Sequence, residues 1–373
     1  MMTKHPFPEV KKNFGFGCMR LPMQDGEVDT TEFSKMVDYF LENGFNYFDT
    51  AHGYLGGKSE TALKACLTSR HPRESYLLVD KLSSNHFEKN EDIRPLFEEK
   101  LAACGVEYFD FYLLHAQDRN KFAKYKACRA YETAFELKAE GKVRHVGLSF
   151  HDTADVLDQI LTEYPALEVV QIQLNYADWE DPNVQSRACL EVCNKHGKPV
   201  IVMEPVKGGA LVNLPEEAKA VFAPLGGSCA QYAIRYAASQ KGVFMVLSGM
   251  GNMAMMEDNV SYMKDFRPLN EEESAAIEQV REVLRSLEQI SCTACNYCTE
   301  RCPQSIPIPT LFGCYNDRKL WNTWMAGFNY ENAVQKSNPP SACLDCGLCE
   351  EGCPQHLPIR ELLKTVEAEF TKK

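Results

Sequence analysis

The sequence contains no apolar run as long as the roughly 18–20 residues that a membrane-spanning helix needs. Residues 1–8 lack the apolar core of a secretory signal peptide. Basic residues are also scarce relative to acidic ones, with 40 Lys and Arg against 52 Asp and Glu, a formal net charge of -12. An acidic protein repels phosphate backbones and anionic lipids. These absences predict a cytoplasmic protein that has neither nucleic acid nor a membrane as its partner.

Strand-like apolar runs and amphipathic helical patterns alternate through the larger, amino-terminal part of the chain. The predicted strands span residues 13–17, 45–48, 76–81, 109–115, 143–149, 169–175, 200–204 and 243–248. Eight strands with helices between them over roughly 250 residues indicate an α/β fold of the (β/α)8 or TIM barrel type. An open doubly wound sheet is the alternative. It more often carries a glycine-rich fingerprint after its first strand, and Gly15-Phe16-Gly17 is too short for one.

Polar side chains occur where several of these predicted strands end. They are Asp49, with Tyr54 on the following loop, Lys81, His115, Ser149, Gln171, Glu204 and Ser248. Barrels of this type have their active sites at the carboxyl ends of the strands, so these side chains are expected to converge. A phenol with its ordinary pKa of about 10 is a poor acid at neutral pH, but a neighbouring ammonium lowers that pKa. Together with an imidazole that can hydrogen-bond the same oxygen, these groups suit carbonyl reduction.

Several separated motifs, in this order, resemble those of the aldo/keto reductase family. They are Asp49-Thr-Ala-x-x-Tyr54-x-Gly, Leu-Leu-Val-Asp-Lys81, Asp110-Phe-Tyr-Leu-Leu-His115 and Gly141-Lys-Val-Arg-x-x-Gly-Leu-Ser149. The resemblance covers roughly residues 8–265. It implies a (β/α)8 barrel that transfers hydride from a nicotinamide cofactor to a small carbonyl compound. It also implies that Tyr54 is the general acid, that Lys81 and Asp49 tune it, and that His115 orients the substrate.

The same resemblance implies where a nicotinamide nucleotide is held. The implied contacts are Gly17, Ser149, Gln171, Glu204, Ser248, Gly249, Met250 and Asn259. Three positions depart from the usual family pattern. Phe150 replaces an asparagine, and Glu204 stands near the position where many members stack an aromatic on the nicotinamide. Met255 stands where many members have an arginine for the 2′-phosphate of NADPH. The expected cofactor is NADPH or NADH, and a flavin is the further alternative.

The chain contains 16 cysteines, and half of them form two runs with identical spacing. The runs are Cys292-x2-Cys295-x2-Cys298-x3-Cys302-Pro and Cys343-x2-Cys346-x2-Cys349-x3-Cys353-Pro. Bacterial ferredoxins have this spacing, and the fourth cysteine of each run binds the other cluster. Zinc, the alternative, usually takes two separated pairs of ligands. We therefore predict two [4Fe-4S] clusters, one held by Cys292, Cys295, Cys298 and Cys353 and the other by Cys302, Cys343, Cys346 and Cys349.

The expected domains are a barrel over residues 1–268, a linking helix over 269–290 and a small, mostly helical ferredoxin-like domain over 291–373. Helical segments are predicted at residues 311–320 and 322–328. Nicotinamides transfer two electrons as hydride, whereas a cluster transfers one. The predicted function is therefore an aldo/keto reductase whose clusters exchange electrons with a redox partner protein. The alternative is an iron-sulfur electron-transfer or redox-sensing protein whose barrel is a docking module.

Overall fold

The chain folds into two compact units. The computed structural model describes residues 6–181, 184–287, 289–290, 292, 295–321 and 324–371. The first unit contains the residues up to Val206 and Ala230–Asn270, and the second contains Lys207–Cys229 and the residues from Glu271 onward. Residues 1–5 of the amino-terminal stretch, in which no signal peptide was predicted, lie outside the described part. No described helix is both long and apolar enough to cross a membrane.

Eight parallel strands form a closed barrel in the first unit, which confirms the predicted fold. Numbered in chain order, they are β1 (Phe14–Gly17), β4 (Tyr47–Asp49), β5 (Leu77–Leu82), β6 (Phe109–Gln117), β7 (Val143–Phe150), β8 (Val169–Gln173), β9 (Val200–Met203) and β10 (Val243–Ser248). A small hairpin of β2 (Met23–Gln24) and β3 (Glu27–Val28) follows β1. Strand β1 pairs with both β4 and β10, so the short strand predicted at residues 13–17 closes the barrel.

Helices follow most of the barrel strands. In this unit they are α1 (Thr30–Glu42), α2 (Lys58–Leu63), α3 (Asn90–Cys104), α4 (Arg119–Ala127), α5 (Ala130–Ala139), α6 (Ala154–Glu163), α7 (Ser186–Lys195), α9 (Cys229–Ala238) and α10 (Met253–Met263). The sequence pattern missed α4 and began the next helix too early, at residue 127. Arg129 adopts a positive φ of 53°, which a helix cannot continue through, and so separates α4 from α5.

The barrel interior is filled by apolar side chains. They include Phe7, Val10, Tyr47, Val79, Phe111, Leu113, Val169, Ile201, Phe244, Met245 and Leu247. Phe7 packs its ring 5.0 Å from those of Phe111 and Phe244. At Gly147 a Cβ atom would lie 2.4 Å from the carbonyl oxygen of Val169, so only glycine permits this approach of β7 to β8. The packed interior holds the strand ends in fixed positions.

The second unit is helical. Its helices are α8 (Glu216–Phe222), α11 (Glu271–Ser286), α12 (Tyr297–Arg301), α13 (Ile308–Trp321), α14 (Trp324–Lys336), α15 (Leu348–Glu351) and α16 (Ile359–Thr371). Helix α8 packs against α11, and residues 207–229 group with this unit. The expected domain boundaries place these residues in the barrel. Helix α11 lies within the predicted linking helix 269–290. Residue 288 of that helix lies outside the described part, as do residues 322–323 of the predicted helical segment 322–328. A small core contains Ile306, Ile308, Leu311, Phe312, Leu363 and Val366.

Candidate active site and candidate metal centre

A buried ion pair lies at the carboxyl ends of β4 and β5. Lys81 Nζ donates to Asp49 Oδ1 at 2.6 Å and to the carbonyl oxygen of Thr50 at 2.7 Å, and both charged side chains are buried. Burial opposes the charge on Lys81, but the Asp49 carboxylate, which also accepts its hydrogen bond, outweighs burial and holds the pKa of Lys81 above its ordinary value. Lys81 is therefore an ammonium at neutral pH.

Tyr54 opens the 3₁₀ turn Tyr54–Gly57 that follows β4, and it is half-buried. Its ring centre lies 4.9 Å from Lys81 Nζ. Burial raises the pKa of Tyr54, and the Lys81 ammonium lowers it only in part. Lys81 thus lowers the pKa of Tyr54, as expected. The expected net lowering of this pKa is wrong, because the effect of burial is larger than the effect of Lys81. The phenol is protonated at neutral pH, which is the form that a general acid requires.

His115, on β6, completes the group of four predicted catalytic residues. Its Nδ1 atom lies 2.6 Å from Ser83 Oγ, and its ring centre lies 6.0 Å from that of Tyr54 in an edge-to-face arrangement. Burial lowers the pKa of His115 well below its ordinary value, and the positive charge of Lys81 adds to this effect. The imidazole is therefore neutral. When Nδ1 accepts from the Ser83 hydroxyl, Nε2 carries the proton and can donate to an oxygen atom.

Ser149 and Gln171 are register partners on β7 and β8, and both are buried. Gln171 Nε2 donates to Asp49 Oδ2 at 3.2 Å, which leaves its amide oxygen as an acceptor. Ser149 Oγ accepts the N–H of Ala116 at 2.7 Å and keeps its own O–H as a donor. One donor and one acceptor side by side are complementary to a primary carboxamide.

The structure also brings together Ser248, Asn259 and Gly17. Asn259 Nδ2 donates to Ser248 Oγ at 2.8 Å, and Tyr262 Oη donates to Asn259 Oδ1 at 2.5 Å. A Cβ atom at Gly17 would lie 3.4 Å from the carbonyl oxygen of Ser248. The side chain of Met250, in contrast, is fully buried in the core around the barrel. A bound nucleotide could therefore contact the backbone of Met250 but not its side chain.

Glu204 and Gly249 both border Arg20, a residue that the sequence motifs did not single out. The Glu204 carboxylate lies 3.7 Å from Arg20 Nη2, and a Cβ atom at Gly249 would lie 3.5 Å from Arg20 Cβ. Glu204 has a positive φ of 56°, and its carbonyl oxygen accepts from Asn175 Nδ2 at 3.1 Å. A non-glycine residue held in this conformation costs about 1–3 kcal/mol, and such strain clusters at functional sites.

A second set of buried charges contacts the Lys81 backbone. Lys100 Nζ donates to Asp80 Oδ1 at 2.6 Å and to the carbonyl oxygen of Lys81 at 2.5 Å. Glu60 lies 3.9 Å from Lys100 and 2.9 Å from His52 Nδ1. Burial, together with the Asp80 charge, raises the pKa of Glu60 to about 9. The sequence motifs did not include Lys100. Its burial could have been predicted from its spacing on α3, where it falls on the same face as the buried Ile93, Phe97 and Cys104.

In the second unit, the predicted cysteine ligands line two small cavities. Cys292, Cys295, Cys298 and Cys353 line the first, and Cys302, Cys343, Cys346 and Cys349 line the second. The fourth cysteine of each run thus lies at the cavity of the other run. We call these the first and the second cysteine cavity. Cys314 is buried and lines neither.

The two runs have matching local conformations. Asn296 and Gly347, each preceding the third cysteine of its run by two residues, have positive φ angles of 63° and 79°. Ser305 and His356, three residues after the fourth cysteine, also match at 50° and 52°. Helices α12 and α15, which carry the third cysteine of each run, pack against each other. Four thiols around each cavity form a donor set for an iron-sulfur cluster.

Comparison with known sequences identifies both units. The profile of the aldo/keto reductase family matches residues 13–282. The chain belongs to the aldo/keto reductase family. The profile of the 4Fe-4S dicluster domain matches residues 281–357, which contain all eight predicted cysteine ligands. The chain is therefore an aldo/keto reductase-type oxidoreductase followed by a 4Fe-4S dicluster domain.

Two curated relatives and one solved structure are 21–29% identical to this chain. The NADH-specific methylglyoxal reductase of Escherichia coli is 29% identical over 210 residues, which are 51% of this chain and only 61% of that protein. The L-galactose dehydrogenase of Arabidopsis thaliana is 25% identical over 295 residues, which are 73% of this chain and 91% of that protein. An aldo-keto reductase from Klebsiella pneumoniae in complex with NADPH shares the fold with a TM-score of 0.60 at 21% identity, over 72% of this chain and 90% of that one.

Proposed function

We propose that the barrel reduces a small carbonyl compound and that Tyr54 gives the proton to the carbonyl oxygen. The observation that carries this proposal is the position of Lys81 Nζ, 2.6 Å from Asp49 and 4.9 Å from the Tyr54 ring centre. A nicotinamide cofactor, when bound, supplies a hydride to the carbonyl carbon. The Tyr54 hydroxyl supplies the proton, so the carbonyl becomes an alcohol. The phenolate left behind is stabilised by the Lys81 ammonium until it regains a proton from solvent.

In this proposal His115 orients the substrate. Its neutral imidazole, held by Ser83, directs an Nε2–H donor to the oxygen that Tyr54 protonates. Two donors at one oxygen stabilise the negative charge that develops there during hydride transfer. A protonated imidazole would compete with Tyr54 as the acid, and its low pKa prevents this.

Ser149 and Gln171 fit the nicotinamide carboxamide. The Ser149 hydroxyl would donate to the carboxamide oxygen, and the Gln171 amide oxygen would accept from the carboxamide nitrogen. Gly17, Glu204, Ser248, Gly249, Met250 and Asn259 complete the proposed nucleotide contacts. Met255, the family's arginine position, is 51% exposed and provides no charge for a 2′-phosphate, which favours NADH over NADPH.

We also propose that each cysteine cavity holds one [4Fe-4S] cluster, with the crossed ligand sets that line them. The clusters move single electrons to or from a redox partner protein. Because hydride carries two electrons, direct exchange with nicotinamide needs an agent that splits the pair, and a bound flavin is the alternative cofactor that can do so. Thiolate ligands persist in a reducing compartment, which supports a cytoplasmic location.

Anaerobic purification followed by assays for cofactor and metal tests these proposals. We expect iron and sulfide near eight each per chain, from two four-iron clusters, and turnover of methylglyoxal as a probe carbonyl with NADH. The Tyr54→Phe variant should lower kcat by about 10²–10⁴-fold, the usual contribution of a general acid. Tyr39→Phe, a half-buried tyrosine on α1, is the matched control and should keep the wild-type rate.

Two results would contradict parts of the proposal. An unchanged rate in Tyr54→Phe on a substrate that the wild type reduces would remove Tyr54 as the acid. Turnover absent with NADH and with NADPH, in protein that contains both clusters, would instead favour an electron-transfer or redox-sensing protein with a docking barrel. If flavin is recovered from the anaerobic protein, flavin and not a nicotinamide is the cofactor to be assigned to the barrel mouth.

A further inference from the structure

The two cysteine runs continue into a second, shared pattern. Residues 302–308 read Cys-Pro-Gln-Ser-Ile-Pro-Ile, and residues 353–359 read Cys-Pro-Gln-His-Leu-Pro-Ile. Helix α13 begins at Ile308 and α16 at Ile359, the last residue of each copy. The next residue in each copy lines a cysteine cavity: Pro309 lines the first and Arg360 the second. The two cavities are therefore built alike and differ at this equivalent position.

Arg360 is held in place by residues next to the predicted ligands. Its Nη2 donates to Glu350 Oε2 at 2.9 Å, and its backbone N–H donates to Glu350 Oε1 at 2.9 Å. Its Nη1 lies 3.3 Å from Asp345 Oδ1. Glu350 follows Cys349 directly, and Asp345 precedes Cys346 directly. The guanidinium is thus fixed to both ends of the loop that carries two ligands of the second cavity.

The Nε atom of Arg360 is buried and has no hydrogen-bond partner in the protein. A buried N–H without an acceptor costs roughly 1–3 kcal/mol, so such groups usually face a ligand. A cluster in the second cavity would supply sulfur acceptors and negative charge. Among the described residues that line the first cavity, none is charged; its remaining wall consists of Ile308, Pro309, Phe312, Gln355, Leu357 and Ile359.

We propose that Arg360 makes the cluster of the second cavity the one with the higher reduction potential, so that it takes up the first electron. This inference rests on the two-cluster part of the proposed function. Adding one electron increases the negative charge of a cluster, and a fixed cation with an N–H donor stabilises that charge. Arg360, Glu350 and Asp345 together have a formal net charge of -1, so the stabilisation comes from the Arg360 N–H donor, which the two carboxylates hold in position. Pro309, without an N–H or a charge, gives the other cluster no such stabilisation.

A redox titration of the anaerobic full-length protein, followed by electron paramagnetic resonance, tests this order. We expect two separate one-electron steps in the wild type. Arg360→Gln should lower the upper step by at least tenfold in its equilibrium constant, about 59 mV for one electron, and leave the lower step in place. Arg360→Lys keeps the charge and should cause a smaller shift. Lys364→Gln, an exposed lysine on the same helix, is the matched control and should move neither step.

The converse variant, Pro309→Arg, adds the missing cation at the equivalent position and should raise the lower step. An upper step that stays in place in Arg360→Gln, an equal shift of both steps, or an equal shift in Lys364→Gln would overturn the inference. Iron content separates this from a failure of the proposed function. If wild-type protein lacks iron, the clusters themselves are wrong; if it contains both clusters, the titration decides the role of Arg360.

Discussion

The barrel mouth and the cysteine cavities organise their polar groups in opposite ways. At the barrel mouth, Lys81 is satisfied by Asp49 and Thr50, and Ser149 already accepts a backbone N–H. In the cysteine unit, the predicted ligands surround two cavities, and Arg360 Nε beside the second cavity is buried with no hydrogen-bond partner among the described residues. The charged groups at the barrel mouth are thus paired with one another, whereas the cysteine thiols are arranged around space that a bound group would fill.

The physical reason is the size of each core. Eight strands and their helices enclose a large apolar interior that fixes strand ends without help. In the described part of the chain, the core beside the cysteines is a small cluster of side chains between helices. Small domains with little apolar burial commonly depend on a metal for stability. Loss of the Lys81 pair and loss of a cluster ligand should therefore have different consequences.

The largest effect is expected from Lys81→Met. Activity should fall by about 10²–10⁴-fold because the phenolate of Tyr54 loses its cation. The barrel should also lose about 3–5 kcal/mol of unfolding free energy because Asp49 is left buried without its partner. Steady-state kinetics and chemical denaturation measure the two effects. Adding Asp49→Asn should restore stability but not activity; a double variant as unstable as the single one would show that the ion pair is not the cause.

Cys349→Ser should remove one cluster and loosen the cysteine unit, which the barrel does not depend on. Iron should fall from about eight to about four per chain, because one of two four-iron clusters is lost. Limited proteolysis should then cut within helices α15 and α16, which lose their metal-dependent support. Cys314→Ser, a buried cysteine that lines neither cavity, should keep the full iron content. Equal iron in both variants would show that Cys349 is not a cluster ligand.

Glu60→Gln tests how far the barrel tolerates its buried charges. Because the pKa of Glu60 is raised from 4.5 to about 9, the folded state holds a proton that the unfolded state releases between these values. Stability should therefore fall as pH rises through this window, by up to about 1.4 kcal/mol per pH unit. The variant should show a flatter dependence in unfolding experiments across that range. Glu99→Gln, exposed on α3, should keep the wild-type slope, and an equal slope in Glu60→Gln would contradict the assignment.

The smallest effect is expected from Ser149→Ala. The Ala116 N–H loses its acceptor, which should cost about 1–3 kcal/mol of stability. The proposed carboxamide contact is lost as well, so the KM for NADH should rise more than kcat falls. Ser239→Ala, whose hydroxyl accepts from the Leu269 N–H away from the strand ends, matches the stability loss without the change in KM. Equal KM values in the two variants would remove Ser149 from the nucleotide site.

Much of this arrangement was visible in the sequence because it follows from local patterns. Apolar runs predicted seven of the barrel strands, and the expected count of eight placed the closing strand β1 at the short glycine-containing segment 13–17. Asp49 and Lys81 could be placed together because parallel strands end at one rim. Lys100 was missed because a lysine on an apolar helix face is recognised only when its acceptor, Asp80, is known to lie opposite. Segment 207–229 was assigned to the barrel because it lies between two barrel strands in the chain, and its packing against α11, far along the chain, leaves no local pattern.

By itself the sequence determined the barrel strands, the residues at their ends and the cysteine spacing, since all three depend on the order of nearby residues. The tertiary structure decided quantities that depend on burial and on distant neighbours. It left the pKa of Tyr54 above its ordinary value, although Lys81 stands beside the ring. It also placed Pro309 at one cysteine cavity and Arg360 at the other. Desolvation and long-range contact, which leave no periodic signal in the chain, are the physical reason for both.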